Sequence, residues 1–390
     1  MSDTLPVEFA GRRGHLFWLA LKTSFLTLIT LGLYRFWMKT RLRRYYWSSV
    51  RPGGVPLEYT GRPLEKLLGF LVAVCIMAFY IGIVNLILMF LSFAVMGGNV
   101  AGYLISFVGV IPVIFYAQYR ARRYVLARTR WRGIRFGLEP GAWGFAWRSA
   151  VHWVLTILTL GLLWPRMRFW LEKYMTDRTY FGTARLEQGG RWTMLFGPAL
   201  YLAVTGAAVV AASSLLAAMP AVWSAALTWL AYLWLLYGFA RFRALSWQRM
   251  TMHKTAAGVG FESNPRIWRV ARIYLFGWLS IGVVLAVIGL LLGMVAVAAL
   301  GADWDQLTLQ DATQLPTWLA WAMGVVLYFS FFLTFGALRH ALISLPLWRH
   351  YAETLTVTGP AAIDGIAQRD RDEFAEAEGF AEALDLGAAI

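Results

Sequence analysis

The chain has 390 residues, 59% of them apolar, and its 36 Lys and Arg against 21 Asp and Glu leave a net charge of +15. Its apolar runs are too long for one soluble core, so lipid is the expected solvent for much of it. Nucleic acid is not an expected partner, because the basic residues flank apolar runs, where membrane topology and anionic headgroups account for them.

The first fourteen residues carry Asp3, Glu8, Arg12 and Arg13, so no cleavable leader is expected. The region 16–66 contains Leu26-Thr27-Leu28-Ile29-Thr30-Leu31-Gly32-Leu33. This run returns in region 146–191 as Leu155-Thr156-Ile157-Leu158-Thr159-Leu160-Gly161-Leu162, at an offset of 129 that also aligns Arg44-Tyr45 with Lys173-Tyr174. Twelve residues separate Lys22 from Arg35; as a helix they reach about 18 Å, against a hydrocarbon thickness of roughly 30 Å. Interfacial or re-entrant helices are therefore expected, with spanning helices as the alternative.

Three windows, 67–119, 192–240 and 273–338, lack Lys and Arg entirely, and each holds two crossings of roughly 20 residues. Their expected breaks are Gly97-Gly98-Asn99, Met219-Pro220 and Gly301–Pro316, the last carrying Asp303, Asp305 and Asp311. Three hairpins give six crossings, or eight if the repeated elements span. All the basic segments then lie on one side, which the positive-inside rule names as cytoplasmic, together with both termini.

Basic-aromatic collars follow the membrane segments. Arg41-Leu42-Arg43-Arg44-Tyr45 reappears as Arg120-Ala121-Arg122-Arg123-Tyr124, more loosely as Arg241-Phe242-Arg243, and weakest as Trp348-Arg349-His350-Tyr351. Stretches with apolar alternation come next or nearby: Val55–Tyr59, Ile134–Leu138, Tyr180–Leu186, Val259–Glu262 and Leu355–Thr358. They read either as short strands that pair with one another on the cytoplasmic face or as irregular linkers. The expected fold is an all-α polytopic membrane protein, with such strands as its only β structure, in one membrane domain, residues 1–359. Residues 360–390 carry eight acidic residues against Arg369 and Arg371, which reads as an acidic, disordered tail.

The pattern Val7-Glu8-Phe9-Ala10-Gly11, Leu26–Leu33 with Tyr34-Arg35-Phe36-Trp37, Arg43-Arg44-Tyr45 and Glu58-Tyr59-Thr60-Gly61 resembles the bacterial YjgN-type family of inner-membrane proteins, domain of unknown function 898. The likeness covers roughly residues 7–359 and is most specific over Thr30–Trp37. It implies a bacterial inner-membrane location and supplies no catalytic residues. The second copy departs from the first, with Leu163-Trp164-Pro165 where Tyr34-Arg35-Phe36 stand.

No enzyme is expected, since no nucleophile–base set or convergent carboxylates can be found. Cys75 reads as packing, and the five histidines lack metal-ligand spacing, so no metal or cofactor is expected. The candidate contacts for a lipid headgroup or other ligand are Arg41, Arg43, Arg44, Tyr45, Arg120, Arg122, Arg123, Tyr124, Lys173, Tyr174, Arg241 and Arg243. Asn85 is a candidate polar contact inside the membrane. The expected function is binding of anionic membrane lipid or a partner through the basic face. The alternative is a permease, which would need a wet midplane cavity lined by Asn85, Thr205 or Ser213.

Overall fold

A computed structural model describes residues 4–79, 82–83, 85–96, 100–215, 220–300 and 316–370. The expected breaks at 97–99, Met219 and 301–315, with their three aspartates, and residues 371–390 of the acidic stretch lie outside the described residues.

Among the described residues, four helices are long and apolar enough to cross a bilayer: 192–214, 222–252, 267–295 and 317–353. They contain α8 (Phe196–Ser214), α9 (Ala221–Met252), α10 (Ile267–Leu300) and α11 (Thr317–Arg339), the last continued by a π turn into α12 (Leu345–Glu353). Pro220 and Pro316 stand just before α9 and α11, where the first turn has no acceptor for a missing N–H. The first basic residue of each, Arg241 or Arg339, then comes about 30 Å along the axis, one hydrocarbon thickness. Exposed Trp223 and Trp229 on α9, and Trp318 and Trp321 on α11, mark the opposite end, as expected of an interfacial belt. The first window forms α3 (Pro63–Phe79), α4 (Asn85–Met96) and α5 (Val100–Ala127), part of whose side chains lie outside the described residues. Cys75 is exposed on α3.

The all-α expectation is wrong. Ten short strands form one antiparallel sheet: β1 (Thr4–Phe9), β2 (Val50–Pro52), β3 (Glu58–Tyr59), β4 (Thr129–Trp131), β5 (Ile134–Leu138), β6 (Thr179–Phe181), β7 (Ala184–Gln188), β8 (Lys254–Ala256), β9 (Val259–Ser263) and β10 (Leu355–Thr358). Their order is β2-β1-β10-β9-β8-β7-β6-β5-β4-β3, a curled half-barrel. The two ends of that order are neighbours in the chain, and the Leu57 N–H donates to Val50 O at 3.0 Å, so the sheet bends back on itself. All five alternating stretches carry strand; of the partners that complete the sheet, Thr4–Phe9 alternates too, whereas Val50-Arg51-Pro52, Thr129-Arg130-Trp131 and Lys254-Thr255-Ala256 have no alternation to read.

Each strand pair is fed by a helix. α2 (Arg35–Ser49) runs into β2, α5 into β4, α7 (Trp164–Thr176) into β6, α9 into β8 and α12 into β10. At three junctions a threonine hydroxyl donates to the carbonyl four residues back: Thr129 to Val125 O, Thr179 to Met175 O and Thr354 to His350 O, at 2.7–2.8 Å. These bonds add an acceptor contact at the last carbonyls of each helix, where the backbone ladder is running out.

The inner face is apolar and filled. Leu5, Val7 and Phe9 of β1, Ile134 and Phe136 of β5, Val259 and Phe261 of β9, and Leu355 and Val357 of β10 alternate into one core with Trp131 and Phe181. Residues 360–370, the start of the acidic stretch, add to that core. A 3-10 turn at Pro360–Gly365 buries Ile363 and Ile366 there, and Thr183 N–H donates to Ala367 O at 2.9 Å.

The hairpin turns need positive φ. Arg132-Gly133 and Ala257-Gly258 occupy two-residue turns with φ of 49°, 80°, 47° and 85°, the type I′ geometry that matches strand twist. Ala257 is exposed, so its side chain contributes strain without packing. Ala257→Asn, which creates Asn-Gly, is expected to stabilise the protein by about 0.5–1 kcal/mol, measured as thermal unfolding in detergent; an unchanged or lower midpoint would refute the reading.

The two repeated elements are matching helical hairpins, α1 (Arg13–Ile29) with α2 and α6 (Ala142–Leu158) with α7. In each, a tyrosine at the end of the second helix donates to a carbonyl at the start of the first, Tyr45 to Arg12 O at 2.8 Å and Tyr174 to Gly141 O at 2.9 Å. Both ends of each hairpin therefore lie at the sheet end. The tips match too: Gly32 N–H bonds Thr27 O and Gly161 N–H bonds Thr156 O, both at 2.7 Å, with Leu31 and Leu160 both at φ 50°. This is a Schellman closure with leucine where glycine is usual. Leu31 and Leu160 are 95% and 97% exposed.

Candidate functional site

The collars sit between the apolar helices and the sheet, and they divide by partner. Arg43 is buried against Tyr59, donating to its hydroxyl at 3.4 Å. Arg123 is buried and donates to Leu138 O at 3.0 Å, while Tyr124 reaches Glu65 at 3.3 Å. Lys173 bonds Gln188 O and Asp177, and Arg120 bonds the Tyr116 hydroxyl. Tyr45 and Tyr174 close the helical hairpins. Arg43, Arg123 and Lys173 thus fasten helices to the strands that hold Tyr59, Leu138 and Gln188, because a buried charge is stable only when hydrogen-bonded.

Arg41, Arg44 and Arg243 are exposed. Arg41 lies over the Tyr34 ring and Arg44 donates to Gly61 O at 3.0 Å. Arg241 covers the Tyr201 ring. Asn85 is the first residue of α4, and its side chain lies outside the described residues. Thr205 is fully buried and donates to Leu202 O. A Cβ added at Gly238 would overlap its hydroxyl, so α8 and α9 pack there without room for water. The twelve collar positions are not one site.

A second constellation forms where α5, α7, α9, α10 and α12 converge. Glu172 on α7 accepts from Lys254 at 2.9 Å and Arg122 at 3.4 Å, tying three repeats together through one carboxylate. Burial pushes this carboxyl up, but Lys254 and then Arg122, by charge and hydrogen bond, outweigh it and hold Glu172 well below the usual carboxylate range. Arg168, one turn earlier on α7, lies over the Phe242 ring. Arg243 lies over the Phe239 ring, which packs edge-on against Tyr274 at 5.3 Å, and Trp247 packs against Tyr351 at 5.2 Å. Burial and then neighbouring Arg243 pull the Arg168 guanidinium down, although Arg168, Arg243 and Trp247 all retain exposed surface.

Sequence reasoning found Arg122 and Arg243 but missed Arg168, Glu172, Lys254 and the two tyrosines. A signal for Glu172 was present: the offset of 129 places it opposite Arg43, a carboxylate in a position otherwise basic. A shallow recess of about 660 Å³ lies nearby, lined by Lys173, Asp177, Arg185, Glu187 and His253 among others. Its charges nearly balance, so it has no clear ionic preference. Among the described residues no group of His, Cys, Asp and Glu is arranged to hold a metal.

Four apolar helices of crossing length, capped at one end by a basic layer and a curled antiparallel sheet, define a membrane protein of mixed α and β structure. The chain belongs to the bacterial family of unknown function DUF898, whose model matches residues 4–383; this is the YjgN-type family. No curated protein and no solved structure matches it.

Proposed function

We propose that this protein is seated in the bacterial inner membrane with its sheet and both ends in the cytoplasm, where it binds anionic lipid headgroups on its basic layer. The observation that carries the reading is the pairing of exposed cations with exposed indoles on the same helices: Arg13 and Trp18 on α1, Arg148 with Trp143 and Trp147 on α6, Arg272 with Trp268 on α10. Tryptophan settles at headgroup level, and each cation near an anionic leaflet contributes about 1 kcal/mol. The exposed Leu31 and Leu160 tips support a position within the adjoining leaflet, because a strained, uncovered leucine gains only where lipid surrounds it.

The test is lipid retention by native mass spectrometry from mixed bilayers. Wild type is expected to enrich phosphatidylglycerol over phosphatidylcholine, and an Arg13→Gln, Arg148→Gln, Arg272→Gln chain to lose about a hundredfold in that preference. Equal retention of both lipids by wild type would remove the proposal.

A further inference from the structure

The two short helical hairpins end in matching apolar tips. The offset of 129 pairs Ile29, Leu31 and Leu33 with Leu158, Leu160 and Leu162, and all six are more than half exposed. No Lys, Arg, Asp or Glu falls between Lys22 and Arg35 or between Arg148 and Arg166. Leu31 and Leu160 hold φ of 50° with no packing to offset the strain.

The packing of α1 fixes how far its tip reaches. Leu16 and Ala20 of α1 share a buried cluster with Ala337 of α11. From that level α1 rises away from the sheet for nine residues, Ala20 to Ile29, or about 14 Å, whereas α11 extends twenty residues, Ala337 out to Thr317, or about 30 Å. The tip therefore stops about 15 Å short of the far end of α11, which is the depth of one leaflet in a hydrocarbon core of roughly 30 Å. Just beyond that level Val325, Val326, Leu327 and Tyr328 are all exposed. Four consecutive residues point all round a helix, so α11 has lost its neighbour there. Helix α6 has the same 17 residues as α1, and its tip closes through the same bonds.

We propose that both tips are wedges buried among the acyl chains of the sheet-side leaflet and absent from the far one, and that through them the protein responds to membrane curvature. The inference rests on the membrane seat argued above and not on its anionic headgroups. Lipid is the occupant because the α1 tip continues the apolar surface of α11, a helix of crossing length. Trp18 on α1 and Trp143 and Trp147 on α6 stand exposed nearer the sheet, where indoles settle at an interface. The four helices of the two hairpins, each about 10 Å across, add roughly 300–400 Å² to the sheet-side leaflet alone. Such a wedge fits best where the sheet-side surface is convex and that leaflet is expanded.

Bilayers of phosphatidylcholine alone give the test, because failure of the anionic-lipid reading has no effect there. In a Cys75→Ser chain, spin labels on Leu31→Cys and Leu160→Cys are expected to be reached by oxygen, shielded from an aqueous nickel chelate and placed about 10–15 Å below the sheet-side headgroups. In narrow tubes pulled outward from giant vesicles, chains with the sheet outside should be enriched about twofold over the parent membrane, and chains with the sheet inside depleted. A dye on Thr255→Cys, quenched by an impermeant agent, reports which way each chain faces. The Leu31→Glu, Leu160→Glu chain should keep its unfolding midpoint in detergent, because both side chains are already uncovered, and should spread evenly between tube and vesicle. Leu31→Gly, Leu160→Gly, which relieves the positive φ, should fold at least as well and lose part of the enrichment. Labels open to the nickel chelate, labels at the far surface, an even distribution of wild type, or equal sorting of wild type and both tip variants would each overturn the proposal.

Discussion

A Glu172→Gln chain is expected to be about 1–3 kcal/mol less stable than wild type, because a half-buried carboxylate that holds two half-buried cations is removed while the cations remain. Arg122 and Lys254 lose their shared anion, and Arg168 loses the one negative group acting on it. The effect is large because the three members come from α5, α7 and β8, so their release loosens three repeats at once. Acid gives a second measure. The folded carboxyl is held below its ordinary value, so its contribution is complete above about pH 5 and is lost as pH falls below about 4.3 toward the folded value. Thermal unfolding in detergent should show a constant wild-type advantage from pH 5 to 7 that shrinks below pH 4.3. A glutamine variant as stable as wild type at pH 7 would show that Glu172 does not join the repeats.

Gly182→Ala is expected to expel the segment after β10 from the sheet interior. Gly182 has φ of 53°, which already costs an alanine about 1 kcal/mol. More important, an added Cβ would overlap Ala367 O, a backbone atom with no rotamer to yield. Ala367 is bound in both directions, accepting from Thr183 N–H and donating its own N–H to Thr183 Oγ1 at 3.2 Å. Displacing it withdraws Ile363 and Ile366 from the core, each worth about 1.5–3 kcal/mol of burial. Hydrogen exchange should show the Thr183 and Ala367 amides protected in wild type and rapidly exchanging in the variant. Continued protection would mean that the sheet adjusts instead.

The helices were legible because lipid imposes a coarse, one-dimensional rule: the chain between Trp192 and Ala240 has no Lys or Arg, and a helix is the economical way to bury that much backbone in hydrocarbon. The repeated Thr-Leu-Gly runs were legible as well: the offset of 129 aligns the two tips residue for residue, Leu31-Gly32 with Leu160-Gly161, and both close in the same way. The sheet was only half legible. Ile134–Leu138 and Val259–Ser263 alternate and can be read locally, but Thr129-Arg130-Trp131 and Lys254-Thr255-Ala256 are strands because a neighbouring strand from another repeat lies beside them. Strands of three residues carry too little periodicity to declare themselves. For the same reason the collars suggested one continuous surface. Which arginine turns toward a carbonyl, as Arg123 does, and which over a ring of a neighbouring helix, as Arg168 does, depends on the rotation of helices that meet only after the sheet has closed.

The sheet order also fixes when the molecule can be finished. β1 is the first strand to leave the ribosome, and it lies between β2 and β10, the latter drawn from the other end of the chain. Until the segment Leu355–Thr358 emerges, β1 and β9 each present a bare hydrogen-bonding edge, and none of the earlier hairpins can cover both. The last strand thus acts as a keystone: chains released before it is made would carry two sticky edges and be prone to edge-to-edge association, whereas complete chains would not.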